Sequence, residues 1–340
     1  MLYIIISLIG LYCVTKYVVY KTNARCKSYV CLMGKTALIT GGNSGIGLEL
    51  AKSLACRGCT IIIADKNDAS STVKRMIKET HNPNIFCETV DFASFKSVRK
   101  FAEEFKRKYD KLHILVNNAG VGYLPTITED GLEGTMQVNY FSHFLLTHLL
   151  LELLIKSGPS RIIYTSSLAA YKTNLLKKPL VGNEIQPDVQ QYMPYANSKT
   201  AGAIMSKILS KKLRNTGVTT NVYHPGIIYT NIFNEIYNLP FGLDLIYVNL
   251  LKLWTLLFGK NIEEGIQTML HLTTSDEVEN ISGEYFAECR PVWQPKPVNN
   301  TIICEDIWTL SEEYVKLTPD EKVEGVLKNL SVKKTENDYL

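Results

Sequence analysis

The run GKTALITGGNSGIGLELAKSLACRGCTIIIADKND, residues 34–68, constrains the fold more than any other part of the chain. Residues 36–40 are short and apolar, 46–55 repeat apolar side chains at helical spacing, and 60–64 form a second β-branched run. A short apolar run, then a 3.6 period, then another short apolar run predicts strand, helix, strand, the length of one βαβ unit. Gly41, Gly45 and Gly47 punctuate the turn between the first strand and the helix, in the spacing G-x-x-x-G-x-G. Glycine there allows a tight turn and close backbone approach, so that an anion can rest on free amides at the helix N-terminus. With Asn43, Ser44 and Ile46 these glycines form the expected cradle for a dinucleotide pyrophosphate, as in a Rossmann unit.

The alternation continues along the chain. Residues 85–90 read as a strand ending at Asp91, 94–109 as an amphipathic helix, and LHILVNNAG as a buried strand running into a polar turn. A long helix over 132–156, the strand RIIYTSS, a helix over 195–215 and the strand TTNVYHPG follow. The pattern predicts an α/β class fold, a doubly wound parallel sheet forming a single domain over about residues 35–288, with ligands outside the carboxyl ends of the strands. Asp91, Asn118, Ser167 and Pro225 all fall at or just past such ends.

Composition narrows the partners. The chain has 340 residues, 46% of them apolar, enough for one large domain with appendages. A formal charge of +4, with no arginine block and no aromatic-basic interleaving, argues against nucleic acid. Eight irregularly spaced cysteines read as reduced thiols. Cys56 and Cys59 form a C-x-x-C without a second pair, across a helix end and a strand start, so no metal site is expected.

Residues 2–20 are apolar apart from Lys16, and a bilayer span needs about 20 such residues. Lys21, Arg25 and Lys27 follow at once, which places the remainder on the cytosolic side. The expectation is an N-terminal transmembrane helix as anchor over 1–21 and a basic linker over 22–34. A cleaved signal peptide fits less well, for want of a basic segment before the apolar run and an A-x-A-like site after it. The sequons at Asn299 and Asn329 are then expected to stay bare.

In YANSK, Tyr195 and Lys199 are four apart near a helix start, so both face one side. A fixed ammonium favours phenolate and draws the tyrosine down from its usual pKa of about 10, making Tyr195 a general acid-base. Ser167, at the end of the preceding strand, is placed to hold a substrate oxygen. Asn139, in the long helix, is placed to orient a water beside Lys199. Singly, each has an ordinary structural role; jointly, behind a dinucleotide unit, they point to one reaction site.

The segments TGGNSGIG, NNAG, VNYFSHF around Asn139, YTSS ending at Ser167, YANSK and HPGIIYT together resemble the short-chain dehydrogenase/reductase family, in order over roughly 250 residues. The resemblance implies hydride transfer between an alcohol and NAD or NADP. It gives Tyr195 the acid-base role, Lys199 the pKa-lowering and ribose-holding role, Ser167 the substrate oxygen and Asn139 the proton relay. It also sets Asp91 and Phe92 at the adenine, Asn118, Ala119 and Gly120 along the adenosine ribose side, and Pro225, Gly226, Ile228 and Thr230 around the nicotinamide. The N-terminal anchor, the helix GLEGTMQVNYFSHFLLTHLLL and the closing SGEYFAECR resemble the membrane-bound retinol-dehydrogenase-like branch. That branch implies lipophilic alcohols and aldehydes as substrates and an endoplasmic reticulum or related endomembrane location.

One position departs from the branch. It usually carries a neutral residue followed by arginine after the second strand, a pair that receives the NADP phosphate; here the pair is Asp65 and Lys66. A carboxylate hydrogen-bonds a ribose 2′-hydroxyl and repels a 2′-phosphate, so NAD is favoured; Lys66, beside it, leaves NADP open. On the substrate side, residues 231–260 are rich in Leu, Ile, Tyr, Trp and Phe with few charges, and read as an apolar lid or as a homodimer interface. Residues 171–194 are longer than a minimal link and are expected to shape the other pocket wall. The tail over 289–340 predicts short helices, one over 305–316 and another near Asp320.

Overall fold

A computed structural model of the protein describes residues 2–176, 192–228 and 259–337, with Asn249, Leu253 and Thr255 between; some side chains of the first helix and those beyond 332 are outside the description. Helix α1 (Leu2–Thr22) leads through the linker into β1 (Thr36–Thr40), α2 (Gly45–Ala55), β2 (Thr60–Asp65), α3 (Ser70–Thr80), β3 (Ile85–Thr89), α4 (Phe95–Lys108) and β4 (Ile114–Asn117). There follow α5 (Gly134–Met136), a π-helical segment (Gln137–Phe141), α6 (Ser142–Leu149), α7 (Leu151–Lys156), β5 (Ser160–Thr165), α8 (Tyr192–Lys212) and β6 (Val218–Tyr223). After α9 (Ile262–Gly265) and α10 (Gln267–Thr274) come β7 (Tyr285–Ala287), β8 (Arg290–Pro291), α11 (Thr301–Tyr314) and α12 (Val323–Asn337).

The strands form one sheet in the order β3-β2-β1-β4-β5-β6-β7-β8, parallel except for the β7–β8 pair. Strands with helices on both faces lose their polar-apolar alternation. Thus Leu38 of β1 packs into one apolar layer with Phe101, Phe144 and Ile204, while Ala37 and Ile39 face the other with Leu50 and Met269. The order reverses at β1, which has β2 on one side and β4 on the other. The carboxyl ends of these strands therefore border a crevice suited to a dinucleotide.

The helix expected over 132–156 is interrupted. It starts at Gly134, where Glu133 caps the Met136 amide at 2.7 Å, widens to a π-turn over Gln137–Phe141, and breaks again at Leu150. Apolar spacing gives no sign of such a turn, because nearly every residue over 132–150 is buried and no single face is marked. Helix α8 ends at Lys212 rather than 215, since Asn215 turns into the left-handed region at φ 68°. The segment 231–260 and the insertion 171–194 lie largely outside the described residues, as does Thr230.

Tail helix α11 begins earlier than its periodicity predicts because Asn300 caps it, accepting the Ile303 amide at 3.2 Å. Cys304, Ile307 and Trp308 enter the same apolar layer as α4, α6 and α8. The buried hydroxyls of Tyr140 and Ser311 bond at 2.7 Å, and Arg99 pairs with Glu321. Among the described residues no helix is both long and apolar enough to cross a membrane, while Leu2–Thr22, whose side chains are described only in part, is continuously helical.

Candidate active site

The turn after β1 is built around its glycines. Gly41 and Gly45 take left-handed φ of 65° and 56°. A Cβ on Gly41 would lie 2.9 Å from the Ala119 Cα, and one on Gly47 would lie 2.4 Å from the Gly41 carbonyl oxygen; above Gly45 the space is open. The loop is therefore closed against β4 on one side and free on the other, which fits a pyrophosphate over the α2 N-terminus. Ser44 is the exposed N-cap of α2, and Asn43 reaches the Asp68 carbonyl at 3.5 Å.

Thr40 joins this loop to the next strand end. Its Oγ1 accepts the Asn118 amide at 2.8 Å and the Ala119 amide at 2.9 Å, and Asn118 Nδ2 donates to the Thr40 carbonyl at 2.9 Å. On the far side Ile228 packs over Gly265, where a Cβ would meet its Cδ1 at 2.0 Å, with Ile46 3.8 Å away. Gly226, at φ 81°, turns the chain after Pro225.

At the end of β2, Asp65 is half-buried and its Oδ1 accepts the Asn67 amide at 3.0 Å. Lys66 points instead toward Asp91, 3.3 Å from its Oδ2, in an exposed pair. Asp91 also accepts the Ala93 amide at 2.9 Å. The Phe92 ring is buried and stacks on His143 at 4.7 Å, so the side chain supports the crevice from beneath.

The residues expected to carry the reaction lie around the ends of β5 and α8. The Lys199 ammonium is buried, donates to the Thr165 carbonyl at 3.0 Å and stands 5.6 Å from the centre of the Tyr195 ring. Burial pushes its pKa down to about 8. A Cβ on Gly120 would come within 3.1 Å of Asn139 Oδ1 and 3.3 Å of Lys199 Nζ, so the polar turn after β4 closes over both. Asn139 sits in the π-turn, its Oδ1 accepting the Val121 amide at 2.8 Å. Ser167, half-buried, caps the short turn that follows β5, accepting the Ala169 amide at 3.2 Å.

Three residues of this constellation carry no sequence signal of their own. Tyr285 of β7 donates from its buried hydroxyl to Ser166 Oγ at 3.0 Å or the Ser167 carbonyl at 3.1 Å. His143 bridges Thr40 Oγ1 at 2.9 Å and the Asn139 carbonyl at 3.2 Å, and burial holds its pKa down to about 3. Tyr164 donates to the same Asn139 carbonyl. All three act across elements far apart in sequence. Outside the site, Cys56 is exposed while Cys59 is buried, its thiol pushed up to about 12.

A doubly wound sheet with a glycine cradle at its reversal point and a buried lysine beside a tyrosine defines a nicotinamide-dependent oxidoreductase. Comparison with known proteins narrows the class. A family model described as short chain dehydrogenase matches residues 35–179. Retinol dehydrogenase 12 of Bos taurus is 37% identical over 295 residues, spanning 85% of this chain and 89% of its own length. Retinol dehydrogenase 11 of Mus musculus is 36% identical over 301 residues, with 87% and 90% covered. The chain therefore belongs to the short-chain dehydrogenase family, in its retinol-dehydrogenase-like branch. The fold is shared with a gluconate 5-dehydrogenase from Burkholderia cenocepacia in complex with NADP and tartrate, at TM-score 0.57 and 24% identity over 75% of this chain and 93% of that one.

Proposed function

We propose that the protein interconverts a lipophilic alcohol and its aldehyde or ketone, with a retinoid-like substrate preferred over a steroid, a farnesol-like terpenoid or a polyprenol. The observation that carries this reading is the buried Lys199 ammonium beside the Tyr195 ring. When bound, the nicotinamide supplies or accepts the hydride. Tyr195 removes the alcohol proton during oxidation and returns it during reduction. Lys199 lies where its charge favours the phenolate, and Ser167 is half-buried where a substrate oxygen can be held. Asn139 ties the loop of Gly120 and Val121 to α8, which keeps this geometry fixed.

The residues fit a dinucleotide, with Gly41, Asn43, Ser44, Gly45, Ile46 and Gly47 at the pyrophosphate and Asn118, Ala119 and Gly120 along the ribose side. Asp91 and Phe92 would lie at the adenine and Pro225, Gly226, Ile228 and Thr230 at the nicotinamide. NAD is the preferred cofactor in this reading, because Asp65, at the end of β2, would face the ribose while Lys66 pairs with Asp91.

Residues 1–21 anchor the chain in the endoplasmic reticulum or a related endomembrane, with the enzyme facing the cytosol. The exposed apolar side chains of Ile6, Ile9 and Val14 on α1, and Lys21, Arg25 and Lys27 after its apolar run, support this. An apolar segment at 231–260 suits a substrate delivered from the bilayer, and the same segment is the candidate homodimer face. The test is NAD(P)H absorbance in microsomes carrying the protein, with NAD and NADP each offered retinol, farnesol and a hydroxysteroid. Turnover fastest with retinol and NAD is expected; cofactor binding without turnover of any alcohol would refute the reading.

A further inference from the structure

Both polar side-chain atoms of Asn139 and its main-chain carbonyl are engaged. Its Oδ1 accepts the Val121 amide at 2.8 Å, and its Nδ2 donates to the Val121 carbonyl at 2.9 Å and to Ser198 Oγ at 3.3 Å. Its main-chain carbonyl faces the Tyr164 hydroxyl and, at 3.2 Å, His143 Nδ1. The direction of the histidine bond follows from Thr40. Two amides fill both lone pairs of Thr40 Oγ1, and its one hydrogen meets His143 Nε2 at 2.9 Å and the Val116 carbonyl at 3.3 Å; with no lone pair left to accept from Nε2, the shorter contact makes Nε2 the acceptor and assigns the ring hydrogen to Nδ1. Tyr164 and His143 therefore both donate to the Asn139 carbonyl and use its two lone pairs. A water oriented there beside Lys199 would have to displace one of them.

The tyrosine ring is accommodated from α8. Tyr164 is buried, and a Cβ on Gly202 would lie 2.0 Å from its Cε1 and 2.3 Å from its Cζ. Any larger residue at 202 would push the ring away. The ring centre lies 5.9 Å from Lys199 Nζ, and the ring meets His143 edge-on at 6.0 Å. The groups around the ammonium are Tyr195 on its own helix, Tyr164 and the Thr165 carbonyl from β5, Asn139 from the π-turn, His143 from α6, and Gly120 from the turn after β4. None of these is a carboxylate that would offset the loss of water.

We propose that Tyr164 is a positioning residue of the reaction site: its phenol stands where a relay water would sit, fixes the Asn139 carbonyl and screens Lys199 from solvent, in a space left by Gly202. The inference rests on the oxidoreductase reading for its kinetic consequence, but its structural core is independent of substrate. With Tyr164 in place, Lys199 exchanges protons with solvent by a route other than the Asn139 carbonyl. Tyr164→Phe keeps the ring over Lys199 and removes only the hydroxyl, freeing one carbonyl lone pair to bind water.

Two readouts test this on the full-length protein. The first is the rate at which an amine-reactive acylating reagent labels Lys199 without cofactor, read by mass spectrometry across pH. Tyr164→Phe should label several-fold faster than wild type, and Gly202→Ala, which displaces the ring from the other side, should do the same. The second is the alkaline limb of the kcat profile, which should move up by about half a unit as Lys199 regains water, with KM for the alcohol unchanged. Unchanged labelling in Tyr164→Phe overturns the proposal whatever the activity. A labelling rise that merely follows a loss of Tm across both variants also overturns it. Faster labelling at constant Tm, in a protein whose wild type turns over no alcohol, upholds the positioning role and refutes the oxidoreductase reading instead.

Discussion

The two ends of the crevice handle charge in opposite ways. At the end proposed for the adenosine, Lys66 and Asp91 form a pair in which both side chains are well exposed. At the end proposed for the reaction, Lys199 is buried, and desolvation alone moves its pKa. Water and salt screen the first pair, so its members are individually replaceable and set preference. The second ammonium has exchanged water for a carbonyl and two ring faces. Its position is therefore costly to the fold, as expected of a group placed for chemistry rather than for stability.

The largest expected effect falls at the dry end. Tyr195→Phe should lower kcat by about 10²–10⁴-fold, the usual contribution of a general acid-base, while leaving cofactor affinity within threefold or so; NAD(P)H absorbance and a binding titration measure the two. Lys199→Met should also lower kcat by about 10²-fold or more and yet raise Tm. The sign follows from linkage. Folding holds the lysine pKa near 8 against an ordinary 10.5, so between these values the unfolded chain binds more protons and stability rises with pH. The cost is fully present below pH 8 and is relieved as pH climbs toward 10.5. Differential scanning calorimetry of wild type and variant between pH 7 and pH 10 checks it, and a Tm that falls in Lys199→Met would erase the contrast between the two ends.

Smaller effects are expected nearer the adenosine. Gly47→Ala places a Cβ against the Gly41 carbonyl and should weaken cofactor binding by about tenfold or more, with the fold retained. Asp65→Ala should move the NAD-to-NADP ratio of kcat/KM toward NADP by roughly tenfold. Lys66→Gln should change either cofactor by no more than about threefold, as for other exposed pairs. An enzyme that already prefers NADP, and loses it in Lys66→Gln, would reverse the assignment of these two charges.

Much of this was legible along the chain. The glycine turn, the strand ends carrying Asp91, Asn118 and Ser167, and the Tyr195–Lys199 spacing are local patterns, and the structure brings these residues to the carboxyl edge of one sheet. The π-turn at Asn139, the Tyr164–Gly202 fit and the Tyr285 bond to Ser166 and Ser167 are not local. They depend on which side chain meets which across elements up to 119 residues apart. The tail gives a similar lesson. Its periodicity predicts helices but does not say that Trp308 and Ser311 would pack against α6 and the π-turn.

By itself the sequence determined the class of fold and the chemistry it carries, because periodicity, glycine freedom and i, i+4 spacing act within a few residues. Only the tertiary structure decided the environment of that chemistry. Burial, lone-pair occupancy and the dryness around Lys199 are properties of the space between elements, and that space exists only once they have packed.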